Sequence, residues 1–324
     1  MANWIAGVGA AFRAAADRLG LKKKVKPTSF DQRNGNAPFN ASGVVEVGPG
    51  RFVFVDNHDP SALFELALDS DGNEVERISR RPFAGLAEGE LCDPEGLTRV
   101  DGGSETVLVV ASSLCVLGAN GPRRQQVCDG LVRVRYTPHG DLQAQAMPGF
   151  RDWLLRQVPS IAEAAQREPD AGGLNIEGLA WDPRARALLF GLRGPADRGI
   201  VTVIRVSIDA GAAPWTVEEL EPPSIVHVRL PRSKAKQGIR DISYDERAGD
   251  VLMIVGRSIS TDDEPFQLCA WDGSSDTLVL LDVKFRRSMK PEGVVAYSSA
   301  DERRLLIVDD GGGYAVVGYP KRDQ

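Results

Sequence analysis

The sequence predicts an all-β protein with a β-propeller fold, most simply built from five four-stranded blades, with six as the alternative. Three observations predict it. A segment related to NIEGLAWDP (175–183) occurs five times. Each copy has the pattern of two short strands joined by a turn, and further strand candidates follow most copies. Four-stranded units that repeat along a chain are typical of propeller blades.

The five repeats share one organisation: a short strand, a turn rich in Gly, Asp, Pro or Ser, and a strongly apolar strand. They cover residues 41–57, 93–113, 175–194, 237–257 and 290–310. The additional strand candidates are 62–68, 74–79, 130–136, 141–146, 200–207, 225–230, 266–271 and 277–285. Together these segments supply four strands for each of the first four repeats.

The fifth repeat is incomplete, because only GYAVVGY (313–319) follows it. An open ring would leave unpaired strand edges. We therefore expect the missing strand to come from the other end of the chain, within residues 25–34. A sixth blade would require a further repeat in the longer connections.

Two segments have a helical pattern. Residues 1–24 predict a short amphipathic helix that precedes a single propeller domain of residues 25–324. This helix would either dock on the domain or bind a membrane surface or a partner. Residues 148–172 carry apolar side chains near helical spacing, interrupted by Pro159, and predict a helical insertion. The insertion precedes the third repeat and would act as a lid or pack on the rim.

Composition excludes several classes of protein. The 324 residues are 42% apolar and 26% charged, as expected for a globular protein with a core. A net charge of -6 argues against a general nucleic-acid binder. No apolar run approaches the roughly 20 residues of a membrane span. The four cysteines form no CxxC pair, which favours reduced cysteines in a cytoplasmic protein; Cys115 and Cys128 would pair if the protein were exported.

The first strand of a propeller blade lines the central channel, so the charged residue at the start of each repeat is expected to face it. In most repeats a glycine follows, which lets neighbouring inner strands approach closely; in the fourth, Asp241 follows. The residues at the aligned position are Ser42, Glu95, Glu177, Arg240 and Glu292. The residues that end the second strands are Asn57, Ser112, Arg193, Arg257 and Asp310.

Converging carboxylates repel one another and require a compensating charge. In one interpretation Glu95, Glu177 and Glu292 bind Ca²⁺ or Mg²⁺, which prefer oxygen ligands. In the other, the glutamates pair with arginines in a buried network. Both interpretations leave arginines that hold a small anionic ligand, and the candidates are Arg193, Arg240 and Arg257.

The segments IEGLAW, GLRGP, GIRDIS, a late PEG and IVDDGG, in this order, resemble the bacterial domain-of-unknown-function 3616 family over roughly residues 40–315. The Glu-Gly inner strands are also similar to those of phytase-like esterase and SdiA-regulated propellers. More distantly they resemble the gluconolactonase and paraoxonase group, in which an inner-strand glutamate binds a central divalent metal. That distant resemblance implies a metal-dependent hydrolase with Glu95, Glu177 or Glu292 as ligands, and Arg240 departs from its pattern.

These observations predict a polar channel mouth that binds or hydrolyses a small anionic molecule, with or without Ca²⁺ or Mg²⁺. If the protein is an enzyme, the expected class is a hydrolase of esters, lactones or phosphoesters. An acidic residue would then activate water, and the candidates are Asp241, Asp309 and Asp310. The alternative is a non-catalytic propeller whose rim binds a protein partner.

Overall fold

The strands that the structure describes form five four-stranded units, which we call blades 1 to 5. The structure is a computed structural model that describes residues 24–30, 39–102, 105–118, 126–210, 214–231, 233, 235–261, 263–299 and 302–322. Blade 1 comprises β2 Ala41–Gly48, β3 Arg51–Asp56, β4 Ala62–Leu68 and β5 Val75–Ala84. Blade 2 comprises β6 Pro94–Gly102, β7 Glu105–Ser112, β10 Leu131–Tyr136 and β11 Leu142–Ala146.

Blades 1 and 2 are joined into one eight-stranded sheet, because β5 pairs in parallel with β11. The other three blades are separate sheets of four antiparallel strands. Blade 3 comprises β12 Asn175–Asp182, β13 Ala187–Gly194, β14 Ile200–Ser207 and β15 Ser224–Arg229. Blade 4 comprises β16 Gln237–Asp245, β17 Asp250–Arg257, β18 Gln267–Trp271 and β19 Val279–Leu280. Blade 5 comprises β20 Pro291–Ser299, β21 Glu302–Asp309, β22 Gly313–Gly318 and β1 Thr28–Ser29. A small hairpin of β8 Val116–Leu117 and β9 Gln126–Val127 lies in the connection within blade 2.

The innermost strands form a ring. Strand β2 contacts β6, and contacts continue from β6 to β12, β16 and β20 and back to β2. Five buried apolar clusters lie between successive blades, including one between blades 5 and 1. The predicted all-β propeller is therefore confirmed, with its core between the blades, not inside any one of them.

The N-terminal strand completes blade 5, as expected from the unpaired edge. Strand β1 pairs antiparallel with β22, with Thr28 opposite Tyr314 and Ser29 opposite Gly313. Next to β1, the Phe30 side chain is 2% exposed. Its ring stacks on those of Phe54, at 5.5 Å, and Tyr314, at 5.4 Å. The closing segment thus contributes core packing as well as backbone hydrogen bonds.

The insertion before blade 3 is helical, as predicted. Helix α1 spans Phe150–Gln157 and helix α2 spans Pro159–Ala162, followed by 3-10 turns at Ala164–Gln166 and Pro169–Ala171. Pro159 begins the second helix, because its ring fits the first turn, where no backbone N–H is needed. Phe150, Trp153 and Leu154 pack in the cluster between blades 2 and 3. This packing corresponds to an insertion that packs on the rim, one of the two predicted alternatives, the other being a lid.

The N-terminal helix predicted for residues 1–24 lies, apart from Lys24, outside the described residues. None of the helices in the described ranges has the length and hydropathy needed to cross a membrane.

The cysteine arrangement differs from the expected one. Cys92 and Cys128 form a disulfide, with their Cα atoms 5.1 Å apart, while Cys115 and Cys269 are free and buried. Cys115 and Cys128 do lie across the β8–β9 hairpin, where the Cys128 N–H donates to the Cys115 carbonyl at 2.9 Å. The segment before β6 places Cys92 next to Cys128. The sequence could not reveal that approach, because it depends on how β6 and β7 pair.

Candidate functional site

Each inner strand bulges near the start of its repeat. The pairing of inner and second strands skips one residue in every blade. A bulge takes the extra residue out of the ladder and redirects its side chain. The skipped residues are Gly43, Glu95, Glu177, Arg240 and Glu292. In blade 1 the skipped residue is Gly43, so the expected equivalence of Ser42 with the glutamates is wrong by one residue.

Glu177 lies at the centre of a buried ionic network, with 1% of its side chain exposed. Its Oε1 accepts hydrogen bonds from Arg193 Nη1 at 2.7 Å and from Asn175 Nδ2 at 3.1 Å. Its Oε2 lies 2.8 Å from Arg240 Nε, an ion pair whose geometry does not make a hydrogen bond. One carboxylate therefore binds an arginine of its own blade and one of the next.

Arg240 connects three blades. Its Nη2 donates to Glu292 Oε1 in blade 5, while its Nε faces Glu177 in blade 3. Burial lowers the pKa of Arg240, but the charges of Glu177 and Glu292 outweigh burial, so the pKa is raised. Burial raises the pKa of Glu292 to about 8, although Arg240 opposes the shift. The guanidinium stays charged, and its two carboxylate partners compete for it.

Glu95 is held by neutral donors instead of arginines. Ser42 Oγ donates to its Oε2 and Asn57 Nδ2 to its Oε1, each at 2.6 Å. Both donors come from blade 1, so Ser42 contacts the network despite its shifted register. Burial, and then the charge of Glu177, raise the pKa of Glu95 well above its ordinary value. Glu95 therefore retains its proton to a higher pH than an exposed glutamate does.

The three candidate catalytic aspartates occupy different environments. Asp241 is buried, and its Oδ2 accepts a hydrogen bond from the Val294 N–H at 2.7 Å. Its Oδ1 has no partner among the described residues, and burial raises its pKa well above the ordinary value. Asp309 accepts hydrogen bonds from the N–H groups of Lys290, at 2.7 Å, and Gly311, at 2.9 Å. Asp310 pairs with Lys290 Nζ at 2.8 Å.

The three candidate ligand-binding arginines are also in different positions. The Arg240 guanidinium is already paired with the carboxylates of Glu177 and Glu292. Arg257 contributes its carbonyl to Arg240 Nη1 at 3.5 Å, but its guanidinium lies over the Phe266 ring, 5.7 Å from the centroid. Arg193 retains 15% exposure, and its Nη2 lies 3.8 Å from Asp170 Oδ1 in the insertion. Arg193 is therefore the arginine that connects the buried network with the surface.

A groove of 980 Å³ opens beside Arg193, between the insertion and the loops of blades 3 and 4. Asp170 lines it and accepts hydrogen bonds from the backbone N–H of Ser260, at 2.8 Å, and from its hydroxyl. Arg198 and Lys236 also line it, both exposed, and neither forms an ion pair within the described ranges. The backbones of these two residues form a bridge that joins the two loops.

Sequence reasoning missed Asp170, Arg198 and Lys236. Asp170 terminates the predicted insertion, and Lys236 belongs to the basic run RSKAK (232–236) just before the fourth repeat. This basic run could have indicated from the sequence that a cationic surface precedes the fourth repeat. The bridge between the two loops, which places Arg198 beside Lys236, depends on tertiary structure.

The metal expected at Glu95, Glu177 and Glu292 stays a prediction. Arg240 lies between Glu177 and Glu292. A cation that bound both carboxylates would therefore have to displace the guanidinium. The donors present are all oxygen atoms, which suit a hard cation.

Comparison with known proteins gives a family and a set of distant structures. Residues 155–315 match the family described as "Protein of unknown function (DUF3616)". The match begins in the insertion and ends in β22, so it is shorter than the resemblance expected over roughly residues 40–315. No curated protein matches the chain.

Among solved structures, the chain is similar to the Malassezia sympodialis allergen Mala s 1, with 10% identity, 88% and 93% of the two chains covered and a TM-score of 0.47. It is also similar to an endo-arabinase from Bacteroides thetaiotaomicron, with 10% identity, 94% and 99% covered and a TM-score of 0.48. A thermostable family-43 glycoside hydrolase gives 9% identity, 91% and 92% covered and a TM-score of 0.47. These identities and scores tie none of the three proteins' properties to this chain.

The matched segment contains Glu177, Arg193, Arg240 and Glu292, the four residues of the ionic network. Residues 155–315 are thus similar to the DUF3616 family, whose description assigns it no function.

Proposed function

We propose that this propeller binds a small polar molecule with an anionic group in the groove beside Arg193. The observation that carries the proposal is the pair of exposed cations, Arg198 and Lys236, in a groove of 980 Å³. Ligand sites of small molecules typically measure about 300–1,000 Å³. Exposed cations without a carboxylate partner are available to a phosphate or carboxylate of the ligand.

The charge of the groove supports an anionic ligand. Its acidic residues are Asp170 and Glu264. Asp170 is held by Ser260 and faces Arg193, so its charge is partly compensated. Within the described residues neither Arg198 nor Lys236 forms an ion pair, so these two cations can attract an anion to their side of the groove.

The buried network positions the wall of the groove. Arg193 Nη1 is fixed by Glu177 at 2.7 Å, and its Nε donates to the Ser258 carbonyl at 3.1 Å. Ser258 lines the groove. A side chain held in this way loses little conformational entropy when a ligand binds, which favours affinity.

Binding can be tested by calorimetric titration with inorganic phosphate, citrate and a sugar phosphate. We expect at least one probe to bind, and the variants Arg198→Met and Lys236→Met each to weaken binding by at least about tenfold, because each removes a charged hydrogen bond worth roughly 1.5–3 kcal/mol. Arg229→Met is the matched control, since Arg229, at the end of the outer strand β15 of blade 3, is exposed and pairs with Asp276 in the β18–β19 loop.

Two results would contradict the proposal: binding that is equally strong in all three variants, or no binding of any anionic probe. In the second case the rim would be examined as a surface for a protein partner, the alternative that the sequence leaves open.

Hydrolysis is a second candidate, favoured by the raised pKa values of Glu95 and Asp241. Strongly shifted carboxyls in one place are common at catalytic sites, although structural networks also produce them. In the metal-dependent version, Glu95, Glu177 and Glu292 would hold Ca²⁺ or Mg²⁺, and Asp241, Asp309 or Asp310 would activate water. Metal analysis of the wild type and of Glu177→Gln, with and without EDTA, tests this version: a stoichiometric ion lost in the variant supports it.

A further inference from the structure

Four potential metal ligands converge at one end of blade 2, where Asp93 precedes Glu95 by two residues. A carboxylate oxygen of Asp93 and the sulfur atoms of Cys115 and Cys128 all lie within 4.8 Å of one another. Cys92 is disulfide-bonded to Cys128, so its sulfur belongs to the same group. Cys115 and Cys128 are 1% and 0% exposed. Three sulfurs and one carboxylate are a donor set that zinc prefers and that Ca²⁺ and Mg²⁺ do not.

The backbone adopts an unfavourable conformation beside two of the donor cysteines. Asp93, with φ 51°, and Leu114, with φ 56°, are two of three residues other than glycine in the left-handed region within the described part of the chain. Non-glycine residues in this region are uncommon, and they cluster at functional sites. One left-handed residue follows Cys92 directly and the other precedes Cys115. The unusual backbone thus occurs at two of the chain segments that supply the donors.

The distance between the Cys115 sulfur and the Asp93 carboxylate fits tetrahedral coordination. With Zn–S near 2.3 Å and Zn–O near 2.0 Å, neighbouring sulfur and oxygen ligands lie about 3.5 Å apart. Cys115 Sγ and Asp93 Oδ2 are 3.6 Å apart. The Cys115 thiol already points at this carboxylate, so coordination by both would require little movement.

A buried cation lies next to the cluster. Arg151 donates from Nε to the Leu114 carbonyl at 2.9 Å and from Nη2 to the Ala165 carbonyl at 2.7 Å. Three thiolates, one carboxylate and Zn²⁺ carry a net charge of -2. The Arg151 guanidinium, fixed beside the residue that precedes Cys115, reduces the cost of burying that charge.

We propose that Cys92, Asp93, Cys115 and Cys128 form a zinc-type site that the Cys92–Cys128 disulfide closes and reduction opens. A dithiol reductant would supply two electrons and two protons to the disulfide, itself becoming a disulfide, and leave two thiols on the protein. Zn²⁺ would then bind three thiolates and the Asp93 carboxylate, and the three thiol protons would pass to solvent. The site shares no residue with the groove proposed above, and the proposal does not rest on it.

The test uses Co²⁺ as a probe for the zinc position, on the full chain. The protein is reduced with a phosphine, the reductant is removed, and Co²⁺ is added under nitrogen. We expect one Co²⁺ per chain, with thiolate-to-cobalt charge-transfer absorption and strong visible bands of tetrahedral geometry, both abolished by one equivalent of Zn²⁺. The untreated disulfide form should show neither. The charge-transfer band requires thiolates, so a cation at the glutamates would not produce it.

Variants identify the ligands. Cys115→Ala should lower affinity by at least about 100-fold, because changes outside the ligand shell alone cost roughly 10–100-fold. Cys269→Ala is the matched control: it is also a free buried cysteine, 0% exposed, but lies between blades 3 and 4. Asp93→Asn keeps the volume of the side chain and should weaken binding with three thiolates still present.

The proposal fails if the reduced wild type gives no charge-transfer band while its far-ultraviolet dichroism is unchanged. It also fails if Cys115→Ala binds Co²⁺ as tightly as Cys269→Ala. Thermal melts of the disulfide forms of both variants show whether either substitution unfolds the chain, and Asp93→Asn provides a ligand test that leaves every cysteine in place.

Discussion

At the scale of single residues, the charge at the start of a buried strand is explained by its neighbours. Glu177 is compensated by Arg193 and Arg240, which approach from two blades. Glu292 shares Arg240, and Glu95 relies on neutral donors. Removing one member of a buried ionic group leaves the others unpaired, which costs more than the group contributes when complete.

Replacing Arg240 with methionine should therefore destabilise the fold by about 3–5 kcal/mol, because Glu292 loses its guanidinium and Glu177 loses one of two. Arg257→Met is the control in the same blade, with an expected loss of about 1 kcal/mol or less, since its guanidinium stacks on Phe266. Urea unfolding followed by tryptophan fluorescence measures both. Equal losses would mean that the network adds nothing beyond ordinary packing.

The raised pKa values predict a stability that falls with rising pH. A carboxyl whose folded pKa is raised binds protons more tightly in the folded state, so its stabilising effect is complete below the unfolded pKa and is lost as the pH rises to the folded pKa. For Glu292 the window runs from the ordinary value of 4.5 to about 8. Glu95 and Asp241 shift in the same direction.

We therefore expect the free energy of unfolding to decrease between pH 5 and 8, by at most about 1.4 kcal/mol per pH unit for each group. Glu95→Gln, which imitates the protonated side chain, should make the decrease shallower. Glu163→Gln is the control, since the Glu163 side chain is 90% exposed. Urea midpoints at four pH values measure the slope; a slope that is the same in Glu95→Gln and the wild type would show that Glu95 is ionised in the folded protein.

At the scale of the strands, the bulge and the following glycine act together. The bulge turns the charged side chain out of the ladder, and the glycine lets the next inner strand approach. A Cβ at Gly96 would lie 2.6 Å from Leu179 Cβ, and one at Gly178 would lie 2.9 Å from Ile242 Cγ1. In the Glu-Gly pair of the repeats, the glutamate thus supplies the charged side chain of the channel, and the glycine allows the close contact between blades.

Gly96→Ala should accordingly cost about 1–3 kcal/mol through overpacking. Gly48→Ala, at the end of inner strand β2, is the matched control, because a Cβ there meets nothing within 4 Å. Thermal unfolding of the two variants by circular dichroism compares them. If both melt like the wild type, the inner strands have room to separate and the proposed role of the glycine is wrong.

The repeats made the strands predictable, whereas the contacts between distant strands were not. Periodic apolar residues and turns indicated the blades, and an incomplete last repeat indicated the closing strand near Thr28. The bulge at Gly43 was missed because alignment by sequence cannot show which residue the second strand skips. The approach of Cys92 to Cys128 and of Asp170 to Arg193 joins segments 36 and 23 residues apart, and no local pattern encodes it.

At the scale of the whole molecule, a two-residue strand joins the N-terminal segment to the last blade. Strand β1 supplies the outer edge of blade 5, and the chain then continues to β2, the inner strand of blade 1. Val25 adds a second tie, since its N–H donates to the Lys284 carbonyl at 2.7 Å in the connection between blades 4 and 5. Phe30 packs with the core between blades 5 and 1.

Two truncations isolate this tie. Removing residues 1–30 deletes Val25, β1 and Phe30, whereas removing residues 1–23 retains all three. We expect the longer truncation to be less stable than the shorter one by at least about 3 kcal/mol, the usual cost of losing a buried aromatic side chain. It should also self-associate, because the exposed edge of β22 can pair with another chain. Urea unfolding and sedimentation velocity measure the two effects. If the two truncations unfold at the same urea concentration and both remain monomeric, the blades hold the ring together without the closing strand, through the apolar clusters between them.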